Sequence, residues 1–177
     1  MLGFGFPIIY LLSSRVVAVI IAGSLLVISV IFDVIRLRNR SINKIVFRKI
    51  SVMKEKERQH ISSTTWFLLG VLISFLVFPK GIAVLAVAFT VIGDAVAEII
   101  GTRFRRIKML DKSLEGNLAC FLSCFFIGLV FSMYVDVSNF ILLLGALAAT
   151  VAQALPLRID DNLGMQLIAG IVMMVVG

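Results

Sequence analysis

Charge is missing from long stretches of this chain, and that absence limits the fold more than any motif does. Residues 1–14, 16–32, 61–79, 81–93, 116–135, 137–157 and 162–177 contain no Asp, Glu, Lys or Arg, giving runs of 14, 17, 19, 13, 20, 21 and 16 residues. A helix needs about 20 mostly apolar residues to cross a hydrocarbon core about 30 Å thick. Run 81–93 reaches that length only by continuing through Asp94 and Glu98 to about Gly101. Run 1–14 is too short to span upright. It also lacks a basic start and a small-residue cleavage site, so it does not read as a signal peptide. The expected fold is all-α: a polytopic membrane bundle of about six transmembrane helices plus a short N-terminal hydrophobic segment. It forms one integral membrane domain over 1–177, with loops at about 34–60, 102–115 and 156–162.

Composition agrees. Hydrophobic residues make up 60% of the 177 positions, charged residues 15%, and mean hydropathy is +1.10. A soluble domain carries roughly 45–50% apolar and 25% charged residues. Two cysteines cannot build a disulfide framework. The net charge of +7 suggests nucleic acid at first sight, but its placement argues otherwise. With six spans, 15 of the 17 basic residues fall in three loops on one side, and only Arg15 and Lys80 fall on the other. The positive-inside rule puts those basic loops in the cytoplasm, with no nucleic-acid partner expected. The membrane would be the inner membrane of a prokaryote, or an endoplasmic-reticulum-type membrane in a eukaryote. The acidic residues share the basic side, all but Asp136, which topology and anionic lipid do not require.

Asp94 and Glu98 are the most informative pair. Four residues apart, they share a helix face inside an apolar segment, where an ionisable group costs about 2.5–3.5 kcal/mol on insertion scales. Two ionised carboxylates there would repel each other and tend to protonate unless a divalent cation or a Lys or Arg compensates them. The alternative is a helix end emerging into water, with Glu98 bridged to Arg103 or Lys108. Flanking Gly93 and Gly101 allow close approach of a ligand or a neighbouring helix. A second cluster runs from Lys108 to Gly116. Lys108 and Lys112 suit phosphates, Glu115 a metal or ribose, and Ser113 with Gly116 a helix start that offers backbone donors. Ser113 also reads as a plain N-cap. Asp160, Asp161 and Asn162 can ligate magnesium, or equally form a polar turn capping the last helix.

Other candidates are blander. Asp33 and Arg36, three apart at a span end, suit an ion pair; His60 sits at a membrane entry; Cys120 and Cys124 lie among phenylalanines and read as packing. No zinc spacing, GxGxxG or Walker-type loop occurs.

Together the clusters resemble a known pattern. Gly93-Asp94-Ala95-Val96-Ala97-Glu98-Ile99-Ile100-Gly101 followed by Lys112-Ser113-Leu114-Glu115-Gly116 is similar to the GDxxAxxxG…KSxEG signature of the CTP-dependent membrane lipid kinases. Those are the dolichol and polyprenol kinases, the yeast-type diacylglycerol kinase and phytol kinase. Asp160-Asp161-Asn162-Leu163 resembles the family's late DDNL-type motif, Asp33 to Arg36 its Asp-x-x-Arg, and Glu57 with Ser62 to Trp66 its Glu-containing entry to a span. Three features depart from the pattern. The family's Arg-Lys…His segment before the first span has no counterpart, Ser63 stands where a glycine is usual, and Arg105-Arg106 where Phe-Gly is common.

The resemblance implies transfer of the γ-phosphoryl group of CTP to a lipid alcohol: polyprenol or dolichol first, a phytol-type prenol or diacylglycerol next. It implies catalytic roles for Asp94, Glu98 and Lys112, and magnesium at Asp94, Glu98 and Asp161. The nucleotide would be bound by Arg103, Lys108, Ser113, Glu115, Gly116 and Asn162, with Asp33, Arg36 and Glu57 contributing. The expected partners are CTP from the cytoplasm, a lipid alcohol from the bilayer, and a second copy of the chain if it oligomerises. One rival is a cytidylyltransferase-like enzyme that makes a CDP-lipid. Another is a small transporter or channel subunit that uses Asp94 and Glu98. A polybasic membrane scaffold would account for the Lys and Arg but not for the acids within the membrane.

Overall fold

A computed structural model describes residues 2–39, 43, 60–104, 107–109, 112–156 and 159–177. A 3-10 turn at Leu2–Phe4 leads into α1 (Gly5–Leu12), followed by α2 (Arg15–Arg38), α3 (Ser63–Val77) and α4 (Lys80–Arg103). A minimal antiparallel hairpin, β1 (Lys108–Met109) and β2 (Lys112–Ser113), pairs Lys108 with Ser113 and Met109 with Lys112. Then come α5 (Leu114–Ser132), α6 (Asn139–Ala154) and α7 (Asp161–Val176).

Helix starts are written locally. Ser14, Ser62, Ser113 and Ser138 each accept a hydrogen bond from the backbone N–H three residues on, and Asp160 accepts from Asn162 N. Each satisfies one of the donors that a first helical turn leaves open. These caps also shorten the spans. Run 61–79 gives up Ser62 to a cap and Phe78–Pro79 to the exit, leaving 15 helical residues; α6 and α7 hold 16 each. At 1.5 Å per residue, such helices reach only about 23 Å. Three helices, α2, α4 and α5, are long and apolar enough to cross a membrane. The described residues therefore form an all-helical membrane protein, apart from the hairpin, and the expectation of six full-length spans is met by length at three. Run 81–93 does continue through Asp94 and Glu98, ending at Arg103.

α4 is the central element. Its most apolar stretch is 61% buried, whereas that of α2 is 17% buried and presents Val16, Ile20, Val27, Ile28 and Ile31 outward. α4 packs against α5 and α7 and also meets α1, α3 and α6, while α2 lies along α3. The short N-terminal segment tucks against this body: Phe6 meets Phe67 edge-on, and Tyr10 stacks at a tilt on Phe75 with centroids 4.3 Å apart.

The two basic residues expected on the far side hold helix ends there. Arg15 donates to the carbonyls of Phe75 and Leu76 at the end of α3, and Lys80 Nζ donates to Leu11 and Ser13 beyond α1. Cations at helix C-termini meet orphan carbonyls and the negative end of the helix dipole. At the opposite end, Asp33 and Arg36 are 2% and 0% exposed and pair at 2.8 Å. Arg36 also donates to the His60 carbonyl; Asp33 Oδ2 accepts from Ser62 N, Ser62 Oγ and Thr65 Oγ1. The pair thus pins the end of α2 to the start of α3.

Candidate functional site

The small residues of the α4 motif pack against the neighbouring helix. Gly93, Ala97 and Gly101 recur every four residues and lie on α5. A Cβ on Gly93 would stand 2.7 Å from Cys124 Sγ and 3.0 Å from Cys120 Sγ. One on Gly101 would meet Ser113 Oγ at 2.9 Å, and one on Gly116 the Ala97 carbonyl at 2.9 Å and Gly101 Cα at 3.2 Å. Cys120 and Cys124 are buried free thiols in this seam, as packing predicts. Gly116→Ala is expected to force α4 and α5 apart and lower stability by about 1–3 kcal/mol, read as a fall in unfolding temperature in detergent. An unchanged value would mean the seam is looser than the geometry states.

One position along from each small residue, Asp94 and Glu98 turn away from the seam. They line a cavity of about 210 Å³ together with Thr102 of α4, Lys112 and Ser113 of the hairpin, Asn117 of α5 and Gln153 of α6. The two motif strings, separated by ten residues in the chain, therefore meet at one pocket. Lys112 is fixed there by Asp161, Nζ to Oδ2 at 2.6 Å. Ser113 caps α5 through Gly116 N at 3.1 Å, and Glu115 Oε1 accepts from Ile107 N, which holds the hairpin to the helix start.

The late acidic turn divides its labour. Asp160 Oδ1 accepts from both the backbone and the side-chain amide of Asn162, while Oδ2 accepts from Ser63 Oγ at 3.0 Å. Asp160 and Asn162 thus form a cap tied to α3, and Asp161 alone reaches the pocket's lysine. Asp33, Arg36 and Arg103 do not line the pocket. The first two form the buried strut, and Arg103 is exposed with its guanidinium 5.9 Å from the Phe104 ring. The Lys108 backbone pairs with Ser113, while its side chain and Glu57 lie outside the described residues. His60 is exposed, and its carbonyl accepts from Arg36.

Two residues of the pocket escaped the sequence reading. Asn117 and Gln153 are 6% and 2% exposed, and the Asn117 Oδ1 and Nδ2 and the Gln153 Oε1 have no hydrogen-bond partner among the described residues. The available signal was an amide inside an otherwise apolar run. Among the described residues, no group of three His, Cys, Asp or Glu side chains converges on a cation position. Asp94 and Glu98 still offer what magnesium takes from a protein when phosphates complete its shell: one or two carboxylates.

Over 170 residues the chain is 28% identical to an uncharacterized protein of Rickettsia prowazekii (strain Madrid E), with 92% of this chain and 83% of that relative covered. No protein-family model matches the chain, and no solved structure matches it.

Proposed function

We propose that the protein is a membrane lipid kinase that moves the γ-phosphoryl group of CTP to the hydroxyl of a lipid alcohol. Polyprenol or dolichol is the first choice of acceptor, and a phytol-type prenol or diacylglycerol the next. The reading takes α2 to α7 as six spans, with the hairpin end facing the cytoplasm. One observation carries it: two carboxylates inside an apolar helix, Asp94 and Glu98, share a pocket with Lys112 at the end of α4 that leads into the hairpin.

Phosphoryl transfer asks for positioning and charge compensation more than for covalent chemistry from the protein. Lys112 places a point charge against the triphosphate oxygens, and its bond to Asp161 aims the ammonium. Asp94, the residue nearest the chemistry, accepts the proton of the lipid hydroxyl. That oxygen bonds to the γ-phosphorus as the bond to the β-phosphate oxygen breaks, leaving CDP and a lipid phosphate. Magnesium, held by Asp94 and Glu98 while Asp161 stays on Lys112, would supply neutralisation of the charge that develops on the phosphates. On this reading the soluble nucleotide comes from the cytoplasm and the lipid from the bilayer.

Membranes containing the protein, given CTP labelled at the γ-phosphate, are expected to transfer label to a chloroform-soluble lipid. Label appearing in pyrophosphate would instead mean cytidylyl transfer and would overturn the kinase.

A further inference from the structure

Asn117 and Gln153 stand on the α5 and α6 side of the pocket and take no part in the mechanism above. Buried polar atoms are almost always hydrogen-bonded, and leaving them open is destabilising. Here three such atoms belong to two residues, one on each of two helices, that line one cavity with Asp94, Glu98 and Lys112. That concentration is characteristic of recognition, because no described residue of the chain satisfies them.

Their chemistry narrows the partner. Two of the three open atoms are amide oxygens, which an ionised phosphate has no hydrogen to answer, so the group that satisfies the set both donates and accepts. The open valences are an amide oxygen and NH2 side by side on Asn117, and a second amide oxygen on Gln153. Cytosine matches this set. Its N3 accepts from Asn117 Nδ2, one 4-amino hydrogen goes to Asn117 Oδ1, and the other goes to Gln153 Oε1. Uracil can pair with a turned-round Asn117 amide through O4 and N3–H, but it then has no hydrogen for Gln153. A lipid hydroxyl carries a single hydrogen and leaves one of the two oxygens unanswered.

We infer that Asn117 and Gln153 form the subsite that reads the pyrimidine edge and selects cytosine over uracil; this rests on the nucleotide reading of the same pocket. A site built around a hydrogen bond rejects a ligand that lacks it far more strongly than an apolar pocket rejects a missing methylene.

The test is equilibrium binding of CTP and UTP, with magnesium, to the purified full chain in detergent. The wild type is expected to prefer CTP by at least about tenfold. Gln153→Met and Asn117→Leu should each erase most of that preference. Neither should lower the unfolding temperature, since each removes an unpartnered amide. Equal wild-type affinity for the two nucleotides would overturn the subsite. So would variants that keep the CTP preference while raising KM for the lipid alcohol, which would assign the amides to the acceptor. Variants that keep the preference but unfold earlier would make the amides structural. A protein that selects CTP yet phosphorylates no lipid alcohol defeats the kinase and upholds the cytosine subsite.

Discussion

Asp94→Asn is expected to cut lipid phosphorylation from CTP by at least about a hundredfold, the lower bound of what a positioned proton acceptor contributes. The amide keeps the carboxylate's shape and loses its charge and basicity. It also removes an ionisable group from an apolar helix, so the variant should fold at least as well as the parent. Two measurements decide it together: the initial rate of label transfer from γ-labelled CTP, and the thermal unfolding curve of the same preparation. A rate within threefold of wild type would remove Asp94 from the chemistry. Glu98→Gln should fall less steeply, because Glu98 is assigned to the cation and not to the proton.

The largest effect on folding belongs to a residue outside the pocket. Asp33→Ala should destabilise the protein by about 3–5 kcal/mol, the usual consequence of stripping one partner from a buried ion pair. It leaves Arg36, which is 0% exposed, without its carboxylate, and deprives Ser62 and Thr65 of their common acceptor. Unfolding in detergent should occur many degrees lower. The double variant Asp33→Leu/Arg36→Met should recover much of the loss, since apolar replacement of a whole buried pair is often neutral. If Asp33→Ala alone changed stability by less than about 1 kcal/mol, the pair would not be the strut that joins α2 to α3.

Some of this was readable from the chain. The charge-free runs predicted the helices and the extension of α4 through Asp94 and Glu98 to about Gly101, two residues short of its end at Arg103, because apolar length is a local property. The four-residue spacing of Asp94 and Glu98 predicted their common face for the same reason. Helix length was misjudged where a serine or proline within an uncharged run bounded the helix: Ser62 and Pro79 carry no charge and so pass a count of charges, yet they take up a cap and an exit. Asn117 and Gln153 were missed because a search for ionisable groups does not register amides. They become conspicuous only when α5 and α6 set them at one cavity. The Asp160–Asn162 turn left two roles open. Tertiary contact separated them, giving the cap to Asp160 and the lysine to Asp161.

The brevity of α3, α6 and α7 bears on the lipid around them. In the six-span arrangement, helices of about 23 Å meet a hydrocarbon layer about 30 Å thick. The accommodation is a bilayer drawn thinner beside the protein, at a fraction of a kcal/mol per Å of mismatch. On the proposed kinase reading, that thinning would bring a lipid hydroxyl toward the depth of Asp94, so less work would be needed to draw the acceptor out of the leaflet.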